Sequence, residues 1–204
     1  MITIIDYGLG NIQAFVNVYS RLDIQVRIAN SKNDLVGATK LILPGVGSFD
    51  RAMQKLNSSG MLDSLEQLVL NKEIPILGIC VGMQMLANSS EEGKLSGLGW
   101  IDGTVKKFDK SSMLINKNLP HMGWNNVISR EEQGLFKEMQ ENKRFYFLHS
   151  YFFECNEDSN ILGTTEYGLN FTCAIKKKNI MGVQFHPEKS HHFGVQLLKN
   201  YSEI

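Results

Sequence analysis

A lone cysteine lies between two glycines at the end of an apolar run. Residues 74–84 read I-P-I-L-G-I-C-V-G-M-Q, so Gly78 precedes Cys80 by two positions and Gly82 follows it by two. Glycines at these offsets let the chain turn sharply from a buried strand into a helix. The turn would place the sulfur at a helix N-terminus, where free N–H groups favour the thiolate. A single free cysteine is more often a small buried hydrophobe, so Cys80 alone does not establish a reactive site.

A second motif contains the groups that a reactive cysteine needs. Residues 182–190 read G-V-Q-F-H-P-E-K-S, an apolar strand that ends at His186 and continues through Pro187 to Glu188. A cysteine nucleophile requires a base, and the base requires a carboxylate that orients it. Residues two apart on an extended segment project to the same side, so Glu188 can hold one ring nitrogen while the other faces the thiol. The two motifs predict a Cys80–His186–Glu188 triad.

A glycine-rich loop at residues 44–49, P-G-V-G-S-F, is open to two interpretations. An ordinary loop between a strand and a helix has this composition. Alternatively, its peptide N–H groups stabilise the oxyanion that forms when a nucleophile attacks an amide, a step that needs two donors. In that case we expect one donor from the backbone of Val81, at the start of the helix, and the other from near Val46 or Gly47.

Four segments together resemble one known family. In chain order they read P-G-V-G-S-F, G-I-C-V-G-M-Q, P-H-M-G-W-N and H-P-E-K-S, and they resemble class I (triad-type) glutamine amidotransferases over essentially the whole chain. The resemblance implies a glutaminase in which Cys80 is the nucleophile and residues 44–49 are the oxyanion element. Within this family, the segments P-G-V-G-S-F, P-H-M-G-W-N and H-P-E-K-S resemble the branch that supplies ammonia to imidazole glycerol phosphate synthases in histidine biosynthesis.

The resemblance also implies two further groups of residues. It places a glutamine pocket at Gln84, Glu92, His149, Ser150 and Tyr151. It places an interface with a (β/α)8-barrel synthase, the expected heterodimer partner, at Trp124, Asn125, Tyr146 and Lys189. Without the resemblance, Trp124 would be typical of core packing and His149 of a hydrogen-bonded strand histidine.

The implied function is hydrolysis of glutamine to glutamate, with the ammonia passed to a synthase that makes imidazole glycerol phosphate and aminoimidazole carboxamide ribonucleotide. One alternative is a paralogous glutaminase that serves another acceptor, such as a sugar amidotransferase in surface polysaccharide synthesis. A non-catalytic binding module of the same fold is a second alternative, which the complete triad disfavours. An amidase or cysteine peptidase on this fold is a third.

Composition limits the class of protein. The 204 residues are 43% apolar, which suits one domain over residues 1–204. Lys plus Arg and Asp plus Glu number 21 each, so no nucleic acid or anionic membrane is expected as a partner. There is no apolar run of about 18 residues and no basic leader at the start, so we expect a cytoplasmic location. The three cysteines are widely spaced and predict neither disulfides nor a metal site, and no cofactor is expected.

The elements that must position these residues alternate in type. A strand at residues 2–6, a helix at 12–22, strands at 25–28 and 40–43 and a helical region at 52–70 precede the cysteine motif. Residues 98–126 favour short strands and hairpins, and a helix is expected at 193–201. This order predicts an α/β fold, an open, mostly parallel, flavodoxin-like sheet flanked by helices, with extra antiparallel strands. Its active site should lie beyond the carboxyl ends of the strands.

Overall fold

The first half of the chain alternates strands and helices as predicted. A computed structural model describes residues 1–109, 111, 118–139 and 142–204. The elements of this half are β1 (Ile2–Ile5), α1 (Ile12–Arg21), β2 (Val26–Ala29), β3 (Leu41–Gly45), α2 (Phe49–Ser58), α3 (Leu62–Glu66) with a π-helical turn at Gln67–Asn71, β4 (Ile76–Cys80) and α4 (Val81–Gln84).

The second half is mostly strands. They are β5 (Ser89–Ser90), β6 (Gly103–Lys107), β7 (His121–Asn126), β8 (Ile128–Ser129), β9 (Arg144–His149), β10 (Tyr151–Cys155), β11 (Ile161–Glu166), β12 (Asn170–Lys177) and β13 (Ile180–Val183), followed by α5 (His191–Glu203). Short 3-10 turns lie at Lys32–Leu35, Gly134–Phe136, Asp158–Asn160 and Pro187–Lys189. Among the described residues, no helix has the length and apolar character needed to cross a membrane.

The central sheet is parallel where the site lies. Its strands follow the order β2-β1-β3-β4-β13, all parallel, and it then continues antiparallel through β12, β10 and β6. Strand β5 pairs parallel with β6, and β11 and β8 extend the sheet from β12. The first five strands have the flavodoxin-like order. The predicted fold class, a mostly parallel central sheet with added antiparallel strands, is confirmed.

Burial explains why these strands read as apolar runs. Every residue of β1, β3, β4 and β13 is buried, because helices cover both faces of the sheet. Strand β2 lies on one side of β1 and the next strand, β3, lies on the other, so the direction in which strands are added reverses after β2. Because the crossovers are right-handed, the helices that follow lie on the opposite face of the sheet. On one face α1 contacts α5, where the Tyr19 hydroxyl donates to the carbonyl oxygen of Leu198 at 3.2 Å. Helices α2 and α4 contact each other.

Strands β7 and β9 form a separate antiparallel ribbon. Trp124 pairs with Tyr146 and Met122 with Leu148. Side chains alternate between two faces along each strand, and on β9 Phe145, Phe147 and His149 are buried. The other face, which we call the open face of the ribbon, carries Met122, Trp124, Tyr146 and Leu148, which are exposed or half-buried. The ribbon therefore has one face packed on the core and one face open to solvent.

Three glycines let α4 begin directly against β3. A Cβ atom built on Gly82 would lie 1.9 Å from the carbonyl oxygen of Leu43, and one on Gly45 would lie 2.4 Å from the nitrogen of Gly82. A Cβ on Gly78 would lie 2.6 Å from the oxygen of Gly82. These contacts are with backbone atoms, which cannot move aside as a side chain can, so each position excludes any larger residue.

We therefore expect Gly82→Ala to lower the free energy of unfolding by about 3 kcal/mol, because overpacking against backbone forces β3 and α4 apart. Urea denaturation followed by far-UV circular dichroism measures the effect. Gly163→Ala is the matched control, since its Cβ would lie no closer than 3.3 Å to a neighbour, the oxygen of Ile128. Equal unfolding midpoints for the two variants would contradict the packing argument.

Candidate active site

Cys80 sits at the turn between β4 and α4, as the glycine spacing predicts. Its backbone has φ +57° and ψ −113°, a region that non-glycine residues rarely occupy and that costs about 1–3 kcal/mol. The close contact of Gly82 with Leu43 holds the chain in this conformation. The residue is 4% exposed. The turn thus fixes the direction of the Cys80 side chain through the backbone.

His186 and Glu188 meet beside Cys80. The Nδ1 atom of His186 lies 2.8 Å from Oε1 of Glu188, and both side chains are nearly buried. His186 follows β13, which runs parallel to β4, and its ring lines the same cavity as Cys80. The sequence predicted this contact along an extended segment. The structure instead forms it across the 3-10 turn Pro187–Lys189.

The charge state of His186 follows from its two partners. Burial lowers its pKa, but the hydrogen bonds and negative charges of Cys80 and Glu188 outweigh burial and raise the pKa to about 10. His186 is therefore an imidazolium at neutral pH. A cation next to a thiol favours the thiolate, so the arrangement can supply a nucleophile and a proton donor at once.

Ser190 clamps the His186 segment to β9, a role that was not predicted from the sequence. Its hydroxyl donates to the carbonyl oxygen of His186 at 2.6 Å and accepts from the N–H of Tyr146 at 2.9 Å. The N–H of His186 in turn donates to the carbonyl oxygen of Tyr146 at 2.9 Å. The serine at the end of H-P-E-K-S is the sequence signal that could have indicated this clamp.

A cavity of about 320 Å³ opens over Cys80. Small-molecule sites commonly begin at this size. All the predicted pocket and oxyanion residues line it together with two triad members: Cys80, His186, Val46, Gly47, Val81, Gln84, Glu92, His149, Ser150 and Tyr151. Pro120 and Leu148, which were not predicted from the sequence, complete the wall with Lys189. Glu188 lies behind His186 and does not line the cavity.

A larger cavity of about 530 Å³ lies elsewhere, between β12 and the turn at Asp158–Asn160. Charged side chains such as Arg130 and Lys176 line it, and they are paired with Asp158 and Glu131. Among the residues that the structure describes, neither a cysteine nor a histidine lines this cavity. The smaller cavity, which contains Cys80 and His186, is therefore the candidate active site.

The loop at residues 44–49 borders the cavity as expected. Gly47 has φ +89°, and a Cβ atom on it would meet no described residue within 4 Å. The hydroxyl of Tyr7 donates to the carbonyl oxygen of Pro44 at 2.8 Å and holds the start of the loop. Burial, with the charge of Cys80, raises the pKa of Tyr7, so this donor keeps its proton.

Glu92 has a structural contact as well as a place in the cavity wall. Its Oε2 accepts the N–H of Phe49 at 2.8 Å, at the start of α2. A carboxylate at a helix N-terminus accepts from an otherwise unpaired N–H group, and its negative charge interacts favourably with the positive end of the helix dipole. Glu92 therefore links the cavity wall to the helix that follows the loop at residues 44–49.

The ring of His149 is fully used within the protein. A carbonyl can only accept, so Nδ1 of His149 carries the proton that is donated to the carbonyl oxygen of Tyr151 at 2.7 Å. Nε2 of His149 then accepts from Nδ1 of His121, 2.9 Å away. Burial, and next the charge of His121, lower the pKa of His149 to about 3. His149 is therefore neutral and shapes the cavity without acting as a second acid. Its pairing with His121 was not predicted from the sequence.

Gln84 is also held from inside. Its Nε2 donates to the carbonyl oxygen of Tyr151 at 3.1 Å and to Oε1 of Gln184 at 3.0 Å. Gln184 is 0% exposed and was not predicted as a site residue. With both hydrogens of Nε2 in use, Oε1 is the part of the Gln84 amide that is left to accept a hydrogen bond from a ligand.

The four predicted interface residues fall into two groups. The Trp124 ring lies 6.2 Å from the Tyr146 ring, and the Lys189 amine lies 6.0 Å from the centre of the Tyr146 ring. These three form one surface beside the cavity. The side chain of Asn125 points to the other face of the ribbon, where its Nδ2 donates to the carbonyl oxygen of Glu166 at 2.7 Å.

The charge state of His186 predicts the reactivity of Cys80. His186 keeps its proton below a pH of about 10, so at neutral pH a cation lies beside Cys80 and we expect fast alkylation of its sulfur by iodoacetamide. Burial raises the pKa of Cys155 to about 12, so peptide mass spectrometry should find Cys80 modified first at neutral pH. Glu188→Gln removes the carboxylate that holds the His186 ring and should slow alkylation of Cys80 about tenfold, the size of one lost hydrogen bond to a charged group.

Cys155 is the internal control for this measurement, because its slow reaction should not change in the Glu188→Gln variant. Equal alkylation rates of Cys80 with and without the Glu188 carboxylate would show that the carboxylate does not set the charge of His186.

Comparison with known proteins gives one consistent family. The model of the family described as "Glutamine amidotransferase class-I" matches residues 3–202. The imidazole glycerol phosphate synthase subunit HisH of Bdellovibrio bacteriovorus is 58% identical over 204 residues, which covers 100% of both chains. The protein of the same name from Leptospira interrogans is 53% identical over 206 residues and again covers 100% of both chains.

Solved structures agree on the fold. "Structure of PurLQS from Thermotoga maritima" matches with a TM-score of 0.75 at 15% identity and covers 99% of this chain and 97% of that chain. A second structure, "Crystal structure of glutamine amidotransferase", matches with a TM-score of 0.72 at 16% identity and covers 98% of this chain and 98% of that chain. From the family match over nearly its full length and from the relatives above, the chain belongs to the class I glutamine amidotransferases.

Proposed function

We propose that this chain is the glutaminase subunit of an imidazole glycerol phosphate synthase in histidine biosynthesis. The observation that carries the proposal is that Cys80 and His186 line one cavity, with Glu188 hydrogen-bonded to the His186 ring behind it. Relatives that are named as this synthase subunit are 45–58% identical over nearly their full length. The triad, pocket and interface roles below are part of the proposal.

The first half of the reaction forms a thioester. The Cys80 thiolate attacks the side-chain amide carbon of glutamine and forms a C–S bond, and the carbonyl oxygen takes the negative charge as an oxyanion. Backbone N–H groups of Val81 and of the loop at Val46 or Gly47 stabilise that charge. The imidazolium of His186 gives its proton to the amide nitrogen, the C–N bond breaks, and ammonia leaves.

The second half releases glutamate. His186, now neutral, takes a proton from water, and the resulting hydroxide adds to the thioester carbon. The C–S bond then breaks and returns the Cys80 thiolate beside the protonated His186. Glu188 stabilises the imidazolium in both resting and final states. Each step uses groups of this chain, substrate and water, so the reaction requires no metal ion and no cofactor.

The cavity wall fits an amino acid that carries an amide. Gln84 presents an acceptor oxygen, because its nitrogen is occupied by Tyr151 and Gln184, and Glu92 adds a carboxylate. Both groups can bind the ammonium group of free glutamine. Ser150 and Tyr151 close the wall between them.

The ammonia needs an acceptor site on another protein. We place a (β/α)8-barrel synthase subunit on the open face of the ribbon, next to Lys189, in a cytoplasmic heterodimer with this single-domain chain. The support is an apolar surface, with Met122 60% and Trp124 38% exposed, that borders the cavity at Leu148. Ammonia released into water would be protonated and lost, so a direct passage at this border serves the reaction.

A reconstituted complex tests the function. Mixed with the barrel subunit of the histidine pathway and its substrate, the chain should convert glutamine to glutamate and yield imidazole glycerol phosphate. A coupled assay measures the glutamate, and chromatography measures the imidazole glycerol phosphate. Cys80→Ser should abolish glutamine-dependent product while ammonium salts still support it, because the barrel chemistry is intact. Turnover with a sugar amidotransferase partner instead would favour the paralogous function. Rapid peptide turnover would favour a peptidase.

The docking face makes a separate prediction. Trp124→Ala should weaken binding to the barrel protein about tenfold or more, because a partly exposed tryptophan at an interface centre commonly contributes about 2 kcal/mol. Isothermal titration calorimetry measures the affinity. Ile128→Ala is the matched control, since Ile128 is an exposed apolar residue, at 69%, outside the ribbon. If the tryptophan variant bound as tightly as the isoleucine variant, the interface would lie elsewhere.

A further inference from the structure

Gln184 is a buried amide next to the nucleophile that the reaction steps above do not use. It follows β13 directly, is 0% exposed, and its N–H donates to the carbonyl oxygen of Cys173 at 2.8 Å. A buried primary amide is unfavourable unless both its donor and its acceptor find partners. The side chain of Gln184 has two such partners, Gln84 and Cys80.

The carbonyl group of Tyr151 determines the orientation of the Gln184 amide, because Gln84 links the two by hydrogen bonds. The carbonyl oxygen of Tyr151 can only accept, so the Gln84 atom that faces it, 3.1 Å away, is the nitrogen Nε2. The same nitrogen faces Gln184 at 3.0 Å, so the facing atom there must be the oxygen Oε1. The nitrogen of Gln184 is then the atom that points to Cys80, with Nε2 and Sγ 3.8 Å apart. The reversed amide would place two donors against each other.

The chain of contacts therefore ends in a hydrogen-bond donor aimed at sulfur. A donor next to an anion stabilises it and restricts its direction. His186, from the other motif, lines the same cavity as Cys80, so a cationic ring and an amide both lie on the cysteine's side of the site.

We propose that Gln184 is a positioning residue of the glutaminase reaction: it donates a hydrogen bond to the Cys80 thiolate and, through its oxygen, fixes the Gln84 amide that faces the substrate. This inference rests on the proposed function and extends it to a residue outside the triad. During attack the sulfur passes its charge to the substrate oxygen, so the contact matters most for the free thiolate and for its return on thioester hydrolysis.

Gln184→Met tests the donor, because methionine has a similar length and cannot donate. We expect alkylation of Cys80 by iodoacetamide at mildly acidic pH to slow about tenfold, with the midpoint of its pH profile about one unit higher, as for loss of one hydrogen bond to a charged group. The readout needs only the free chain and peptide mass spectrometry. A superimposable pH profile in a folded variant would overturn the inference.

Asn200→Leu separates this effect from general destabilisation. Asn200 is another buried amide, 2% exposed, and its Nδ2 donates to the carbonyl oxygens of Leu135 and Lys137, away from the cavity. Its loss should lower thermal stability while the alkylation profile of Cys80 stays at the wild-type position. If both variants shifted the profile equally, the role of Gln184 would be structural and the inference would fail.

Gln184→Glu gives a second, kinetic test in the complex with the barrel subunit. In its ionised form the carboxylate still accepts from Gln84 but cannot donate to Cys80. We expect kcat for glutamine hydrolysis to fall at least about tenfold, the size of one lost hydrogen bond to a charged group, with KM within about threefold. An unchanged kcat contradicts the inference. If the wild-type complex hydrolysed no glutamine, the proposed function would fail, while the alkylation profiles would still report on the Gln184–Cys80 contact.

Discussion

Backbone-to-backbone contact between β3 and the start of α4 is the constraint on which the site depends. Gly45 and Gly82 leave no room for a Cβ atom at their contact, and this closeness holds Cys80 at φ +57°. Because the backbone sets the direction in which the Cys80 side chain leaves the turn, neighbouring side chains such as Gln184 act on a sulfur that is already close to its place. The strained conformation, which costs about 1–3 kcal/mol, is offset by the packing of strands that are buried on both faces.

The rest of the site is arranged around that fixed sulfur by parallel strands that end at the same level. Strand β13 pairs with β4, so His186 emerges next to Cys80, and the neighbouring β3 delivers the loop that begins at Val46. A parallel sheet therefore brings together the proposed base, nucleophile and oxyanion loop from segments that are far apart in sequence. Charge then orders them, because Glu188 and the thiolate together keep His186 protonated.

Sequence reasoning worked for features that local spacing determines and not for those that strand pairing determines. The turn at Cys80 and the strand before His186 each belong to a short motif with a physical meaning, whereas pocket residues such as Gln84 came from the family resemblance. The contact of His121 with His149 joins positions 28 residues apart, and that of Gln84 with Gln184 joins positions 100 apart. Such pairs require the register of strands, which composition and periodicity do not determine. The inward side chain of Asn125 was missed for the same reason, since it depends on the alternation along β7.

The ribbon connects the proposed docking face to the chemistry through its backbone. Tyr146 presents its ring to the open face, yet its N–H and carbonyl oxygen are bonded to Ser190 and His186. A partner that packs against this ring therefore bears on a residue that is hydrogen-bonded directly to the triad segment. The opposite face of the ribbon carries His149, whose ring holds the carbonyl of Tyr151 and, through it, Gln84. One two-stranded element thus contacts both the His186 segment and the cavity wall, so a partner on the proposed docking face would be coupled to the site without sharing a residue with it.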